Sequence, residues 1–190
     1  MLFRSGCQAV CLTVGVAPAS AVRGSAAARA VAPDWNAVSL LRRGLTVPVL
    51  VKGITTPEAA RQALRHDVQG LVVSSYSGVG SGATRSLILD LPGILDVVSG
   101  NVPVLVDGSF RRGTDVVKAL ALGAKAVLVG RPIMWGLAAY GADGVQGVIE
   151  MLQTELARYM AMCGKPTLSA LDASVLRVHA ARPAPGAGRA

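Results

Sequence analysis

Short unbroken apolar runs alternate with longer stretches in which apolar residues recur at helical spacing, and from residue 47 onward the alternation is regular. Residues 47–51 have the length and branched composition of a buried strand. Thr56-Pro57-Glu58 then opens a helix, with Thr as the cap, Pro in the first turn where no N–H is needed, and Glu at the positive end. Residues 70–73 form the next strand. A helix is predicted from about residue 92 to 99, with Gly100 just past its end. Residues 102–106 give a third strand, 113–122 a helix stopped by Gly123, and 126–129 a fourth strand. Asp143 caps a long helix that runs to about Met162, and 167–173 form a small final helix.

Four successive βα units imply an α/β fold with a parallel sheet and right-handed crossovers. The run Val47-Pro48-Val49-Leu50-Val51-Lys52-Gly53 returns as Val102-Pro103-Val104-Leu105-Val106-Asp107-Gly108, changed at one position. Each copy delivers a charged side chain to the carboxyl end of a buried strand, the end of a (β/α)8 barrel where chemistry sits. The reading is a partial (β/α)8 TIM barrel, a half-barrel of about four carboxyl-terminal βα units. Lys52, Ser74, Asp107 and Gly130 should share one end of its sheet.

Outside this region the pattern weakens. Residues 1–33 are expected to be a leader or degenerate segment without a stable fold, 34–179 the half-barrel, and 180–190 a disordered tail. The stretch 5–22 is uncharged and moderately apolar after Arg4, and Ala19-Ser20-Ala21 resembles a cleavage site, so an export signal is a second reading beside a cytoplasmic chain. The net charge of +8 raises nucleic acid as a partner, but Arg4, Arg23, Arg29, Arg177, Arg182 and Arg189 at the two ends supply six of those charges. The body is nearly balanced and has no basic stripe interleaved with aromatics, so no nucleic-acid partner is expected. No stretch reads as a membrane span. Cys7, Cys11 and Cys163 are odd in number and lack metal-ligand spacing, which suits inert thiols. His66 and His179 read as exposed residues.

Two loops carry the candidate chemistry. Asp107-Gly108-Ser109-Phe110-Arg111-Arg112-Gly113-Thr114 follows the third strand, and Gly130-Arg131-Pro132 follows the fourth. Glycines let backbone approach an anion, free N–H groups donate to it, and the planar arginine fork matches phosphate oxygens. In a (β/α)8 barrel the loops after the last two strands commonly form a phosphate site. Arg111 and Arg131 pairing only with surface carboxylates is the alternative.

The segments VPVLVKGITTPEAARQAL, GLVVSS, VPVLVDGSFRRGTDVVKALALGAKAVLVGRP and WGLAAYGADGV together resemble the second half of the FMN-dependent 2-hydroxy-acid oxidase and dehydrogenase family, over about residues 34–177. The family includes glycolate oxidase, lactate oxidase and lactate monooxygenase. The resemblance implies FMN as cofactor and a small 2-hydroxy acid as substrate. It implies that Lys52 lies beside the flavin N1/O2 edge, where a cation stabilises negative charge on the reduced ring. It matches Ser74 to a flavin-contacting serine. It also matches Asp107, Gly108, Ser109, Phe110 and Arg111 to the run that holds the ribityl chain and phosphate, and Gly130 and Arg131 to a second phosphate loop. Ser109 stands where the family has glycine.

The departures fall on catalysis. Where the family has Ser-Asn-His-Gly-Gly-Arg-Gln, this chain has Ser74-Ser75-Tyr76-Ser77-Gly78-Val79-Gly80, with unchanged spacing to Leu91-Pro92. Tyr76 therefore takes the place of the catalytic histidine, and Val79 that of the arginine that grips the substrate carboxylate. A phenol with an ordinary pKa of about 10 is a poor base near pH 7, and loss of a general base costs about 10²–10⁴ in rate. Residues 1–46 are too few for four further βα units, and by the resemblance the other half would bring more flavin contacts and a catalytic tyrosine and aspartate. Three readings remain open: one piece of a flavin oxidoreductase completed by a second chain or by self-association; a non-catalytic FMN- or phosphate-binding or interaction subunit; and another phosphate-binding barrel enzyme, such as a flavin-dependent isomerase.

Overall fold

Alternate residues of the apolar runs are buried to different depths, and that difference sets the layers. In the run from Val49 to Ile54, Val49, Val51 and Ile54 are fully buried, whereas Leu50 and Lys52 are half-buried. In the run from Val104 to Asp107, Val104 and Val106 are buried while Leu105 and Asp107 are half-buried. Side chains alternate across a strand, so each of these two strands has a core face and a more open face, whereas residues 70–73 are buried throughout.

The computed structural model describes residues 6–14, 34–74 and 86–177. Among them, strands β1 (Val10–Thr13), β2 (Val49–Ile54), β3 (Gly70–Val73), β4 (Val104–Asp107) and β5 (Ala126–Leu128) form one parallel sheet in the order β1-β2-β3-β4-β5. Helices α1 (Trp35–Gly44), α2 (Pro57–Arg65), α3 (Leu91–Val98) and α4 (Gly113–Leu122) separate successive strands, and α5 (Arg131–Met162) follows β5. Spatial order equals chain order, so the winding never reverses as it does in a doubly wound sheet. The core face of the sheet packs Val51, Leu71, Val73, Val104 and Val106 against Val38 of α1, Ala60 and Ala63 of α2, Leu91, Ile94 and Val98 of α3, and Val116 and Ala119 of α4. Each fully buried valine or leucine contributes about 1.5–3 kcal/mol relative to exposure.

The helix signals act as the sequence implies. Thr56 accepts a bond from the Ala59 N–H, with Pro57 in the first turn. Ser99 takes a left-handed conformation after α3, and Gly123 does so after α4. Strand boundaries differ from those predicted. Val47-Pro48 and Val102-Pro103 precede their strands, because proline has no N–H for a ladder. β2 runs on to Ile54 through a register shift after Lys52. The small final helix is two 3-10 turns, Leu168–Ala170 and Ala173–Val175.

Three elements lie outside the sequence prediction: α1, β1 and a 3-10 turn, Leu87–Leu89. α1 is capped by Asp34, which accepts from the Asn36 and Ala37 N–H groups. β1 lies inside the stretch expected to lack a stable fold. Its four residues are held by pairing with β2, flanked by bonds from the Val10 N–H to the Pro48 carbonyl and from the Val14 N–H to the Lys52 carbonyl. α5 begins at Arg131 rather than at Asp143. It is two helical arms joined at Tyr140 and Gly141, whose backbone is non-helical, and Asp143 lies just beyond that junction. His66 is half-buried rather than exposed: it stacks on Trp35 at 5.5 Å and lies 2.6 Å from the Ser39 hydroxyl through Nδ1. Among the described residues the three cysteines are free, no His/Cys/Asp/Glu group could hold a metal ion, and no helix is long and apolar enough to cross a membrane.

Candidate functional site

The carboxyl ends of β2, β4 and β5 converge on one open cleft of about 530 Å³. That size falls within the ordinary range for small-molecule sites. Lys52, Asp107, Gly108, Ser109, Phe110, Arg111, Leu128, Val129, Gly130, Arg131 and Pro132 line it. Both glycine–arginine loops and both charged residues of the repeated VPVLV run therefore meet at one place. Ser74 is fully buried after β3 and is not among the lining residues. Tyr76 and Val79 lie outside the described residues, as does His179.

Lys52 and Asp107 form an ion pair across the open face of the sheet. Their side chains are 22% and 15% exposed, so each charge sits where an unpaired partner would be costly. Burial pulls the Lys52 ammonium below the ordinary lysine value, and the nearby Cys11 thiol acts in the opposite direction. Burial pushes the Cys11 thiol up. Trp135 is a residue that sequence reasoning missed here: its ring lies under the Arg111 guanidinium, and no spacing in the sequence joins the two. Thr13 pairs in register with Lys52 but is not among the residues that line the cleft.

The loop after β4 turns sharply. Gly108 has φ 95° and Ser109 φ 63°, both in the left-handed region. Phe110 follows with only 6% exposure and packs in the core cluster, so its ring anchors the loop from beneath. Arg111 and Arg112 donate their backbone N–H groups to the Asp115 carboxylate at 3.1 Å each, which fixes the turn into α4. The Arg111 guanidinium lies 4.7 Å above the Trp135 ring, a cation–π contact that holds it at the cleft mouth. Across the cleft, Gly130 precedes α5, so the first N–H groups of that helix join Arg131 at its positive end. Two guanidinium groups and a helix N-terminus around one cleft suit a dianionic phosphate. Asp107 is an acceptor suited to hydroxyls beside it.

Ser109 bears a conformational cost. A non-glycine residue in the left-handed region loses roughly 1–2 kcal/mol, while the extra chain entropy of an unfolded glycine returns roughly 0.4–1. Strain wins by a small margin, so Ser109→Gly is expected to stabilise the protein by about 0.5–1 kcal/mol. Urea unfolding should show a higher midpoint at unchanged slope. A lower midpoint would mean that the Ser109 side chain makes a compensating contact.

A model of the FMN-dependent dehydrogenase family matches residues 4–178. The peroxisomal (S)-2-hydroxyacid oxidase GLO3 of Arabidopsis thaliana is 46% identical over 144 residues, which is 76% of this chain and 40% of that protein. The 2-hydroxyacid oxidase 1 of Homo sapiens is 43% identical over 152 residues, 79% of this chain and 41% of that protein. The chain thus spans about two-fifths of the length of these curated relatives. Among solved structures, a mandelate oxidase variant with a monooxide FMN adduct superposes with a TM-score of 0.79 at 40% identity, covering 90% of this chain and 55% of that one. Mandelate oxidase with (S)-2-phenylpropionate superposes at 0.78 and 38% identity, covering 89% and 55%.

Proposed function

The chain belongs to the FMN-dependent dehydrogenase family, and we propose that it binds FMN in the cleft at the carboxyl ends of β2, β4 and β5, with the phosphate between Arg111 and Arg131. The observation that carries this reading is the meeting of both glycine–arginine loops, Lys52 and Asp107 in one cleft. The donor set fits the group. Arg111, Arg131 and the start of α5 offer cationic and N–H donors to a phosphate, Asp107 offers an acceptor to ribityl hydroxyls, and Lys52 offers a cation to the ring edge. Bound FMN would supply a hydride acceptor. The protein's part is to hold that acceptor in place and, through Lys52, to favour its negatively charged reduced form.

In this reading the sheet is part of a (β/α)8 barrel. Sequential parallel winding with the helices on the core face supports it, as does the position of the cleft at the strands' carboxyl ends. The open face, with half-buried Leu50 and Leu105 and exposed Leu128, is apolar and would line a barrel interior. β1 and β5 are the sheet edges among the described residues, so each could accept a further strand of such a barrel. The likeness to hydroxyacid oxidases supports a small 2-hydroxy acid as the substrate class. Tyr76 and Val79 make this chain a poor oxidase of such acids, and so favour a role in which FMN is held with little or no turnover.

The test is FMN titration followed by visible absorption and quenching of flavin fluorescence. The protein should take up FMN and turn yellow. Arg111→Ala and Arg131→Ala should each weaken uptake about tenfold or more, since a hydrogen bond to a charged group contributes about 1.5–3 kcal/mol. Unchanged affinity in both variants would overturn the assignment of the phosphate.

A further inference from the structure

Three arginines stand close together in sequence or space around the cleft: Arg111, Arg112 and Arg131. Arg112 differs from the other two. It does not line the cleft, and its fork is engaged from behind by Glu155 on the second arm of α5. The Arg112 Nε donates to Glu155 Oε2 at 3.1 Å, and its terminal nitrogen reaches Oε1 at 2.7 Å. The same Oε2 accepts the Gly113 N–H at 2.7 Å. One carboxylate therefore ties down both the side chain and the backbone at the point where the loop enters α4. The contact is close: a Cβ on Gly113 would lie 2.5 Å from atoms of Glu155. The Glu155 side chain is 14% exposed, so solvent screens the pair only partly.

We infer that Glu155 is a positioning residue for the cofactor phosphate: by holding Arg112 and the Gly113 N–H it fixes the loop 107–112, presents Arg111 to the cleft, and keeps Arg112 from serving as a phosphate ligand. The inference rests on the FMN reading above. The Gly113 N–H and then Arg112 hold the Glu155 carboxyl below the usual carboxylate range, so the clamp stays charged throughout the neutral region. Asp115 completes the arrangement from the other side by accepting the Arg111 and Arg112 N–H groups. With Arg112 neutralised, phosphate binding falls to Arg111, Arg131 and the α5 N-terminus, on opposite sides of the cleft.

The sign of one substitution separates this role from simple electrostatics. Removing an acid near an anion site should tighten anion binding if charge alone mattered. Glu155→Gln is expected instead to weaken FMN binding about tenfold. Arg112→Gln should give a similar loss, and the double variant should lose little more than either single one, because both remove the same clamp. Glu150→Gln, on the same helical arm, should leave FMN affinity unchanged. Riboflavin, which lacks the phosphate, should bind wild type and Glu155→Gln equally. Tighter FMN binding in Glu155→Gln would show that Arg112 is a phosphate ligand held in reserve, and would overturn the inference. Unchanged FMN affinity, or an equal loss for FMN and riboflavin, would overturn it too. The wild-type titration reports on the FMN reading by itself, and a wild-type protein that takes up no FMN would overturn both.

Discussion

FMN-loaded protein mixed anaerobically with glycolate, lactate or mandelate is expected to keep its flavin colour, with bleaching slower by at least about 10²–10⁴ than a histidine-bearing relative would show. Oxidation of a 2-hydroxy acid needs a base for the hydroxyl proton while hydride departs to the flavin. The resemblance puts Tyr76 at that base, and a phenol is protonated near pH 7. The same alignment puts Val79 where an arginine would pair with the substrate carboxylate. Without that fork the substrate's reacting hydrogen is not held toward the ring, and orientation of this kind contributes about 7–11 kcal/mol to favourable cases. The second loss therefore outweighs the first. Raising the pH should recover little, since ionising Tyr76 restores a base but no carboxylate clamp. A Tyr76→His, Val79→Arg double variant should regain bleaching when further barrel strands are supplied. Rapid bleaching of the wild-type flavin by any of the three acids would show that Tyr76 or another group serves as the base. Rescue by the double variant alone would show that no further strands are needed.

Much of this was legible because the chemistry is written in punctuation. The lysine and aspartate that close the two VPVLV runs had to lie at the same ends of parallel strands, and they meet as an ion pair. The two glycine–arginine loops line one cleft because consecutive strands in a sequentially wound sheet are neighbours. Phe110 belongs to the run matched to cofactor binding and lines the cleft, and it also packs in the core cluster, a second role that a lone aromatic in a glycine-rich loop does not announce. Ser74, matched to a family position, is fully buried after β3 and is not among the residues that line the cleft, a depth that packing rather than strand-end position decides. β1 escaped notice because four residues of short, mixed character owe their strand to pairing with β2, a long-range cause. α1 did carry a local signal, Asp34 before an amphipathic run ending in Arg42 and Arg43, and could have been found. Glu155 could not: its partners lie on another element, and no spacing rule joins them.

The bend in α5 should be the most sensitive structural point of the phosphate site. Its first arm carries Arg131 at the start and Trp135 beneath Arg111, so both arginines of the cleft depend on how that arm lies. At Tyr140 and Gly141 the chain leaves helical geometry, Gly141 with φ 62°, and the second arm passes so close that Gly136 and Gly144 touch backbone to backbone. A Cβ on Gly144 would collide with the Gly136 carbonyl oxygen, a rigid group that cannot swing aside as a side-chain tip could. Intrinsic propensity argues the other way, since Gly→Ala inside a helix normally gains about 0.5–1 kcal/mol. Overpacking costs about 1–3 kcal/mol and here falls on backbone, so it prevails. Gly144→Ala is therefore expected to lower stability by about 2 kcal/mol, or about 4–8 °C in Tm for a chain of this size, and to weaken FMN binding as the first arm is displaced. Gly147→Ala is the matched control: it lies on the same arm, a Cβ there meets nothing within 4 Å, and the helix gain should stand alone as a small rise in Tm. Thermal unfolding and FMN titration of the two variants side by side decide the matter, because equal behaviour at positions 144 and 147 would mean that the two arms do not pack through Gly136 and that the bend does not set the phosphate site.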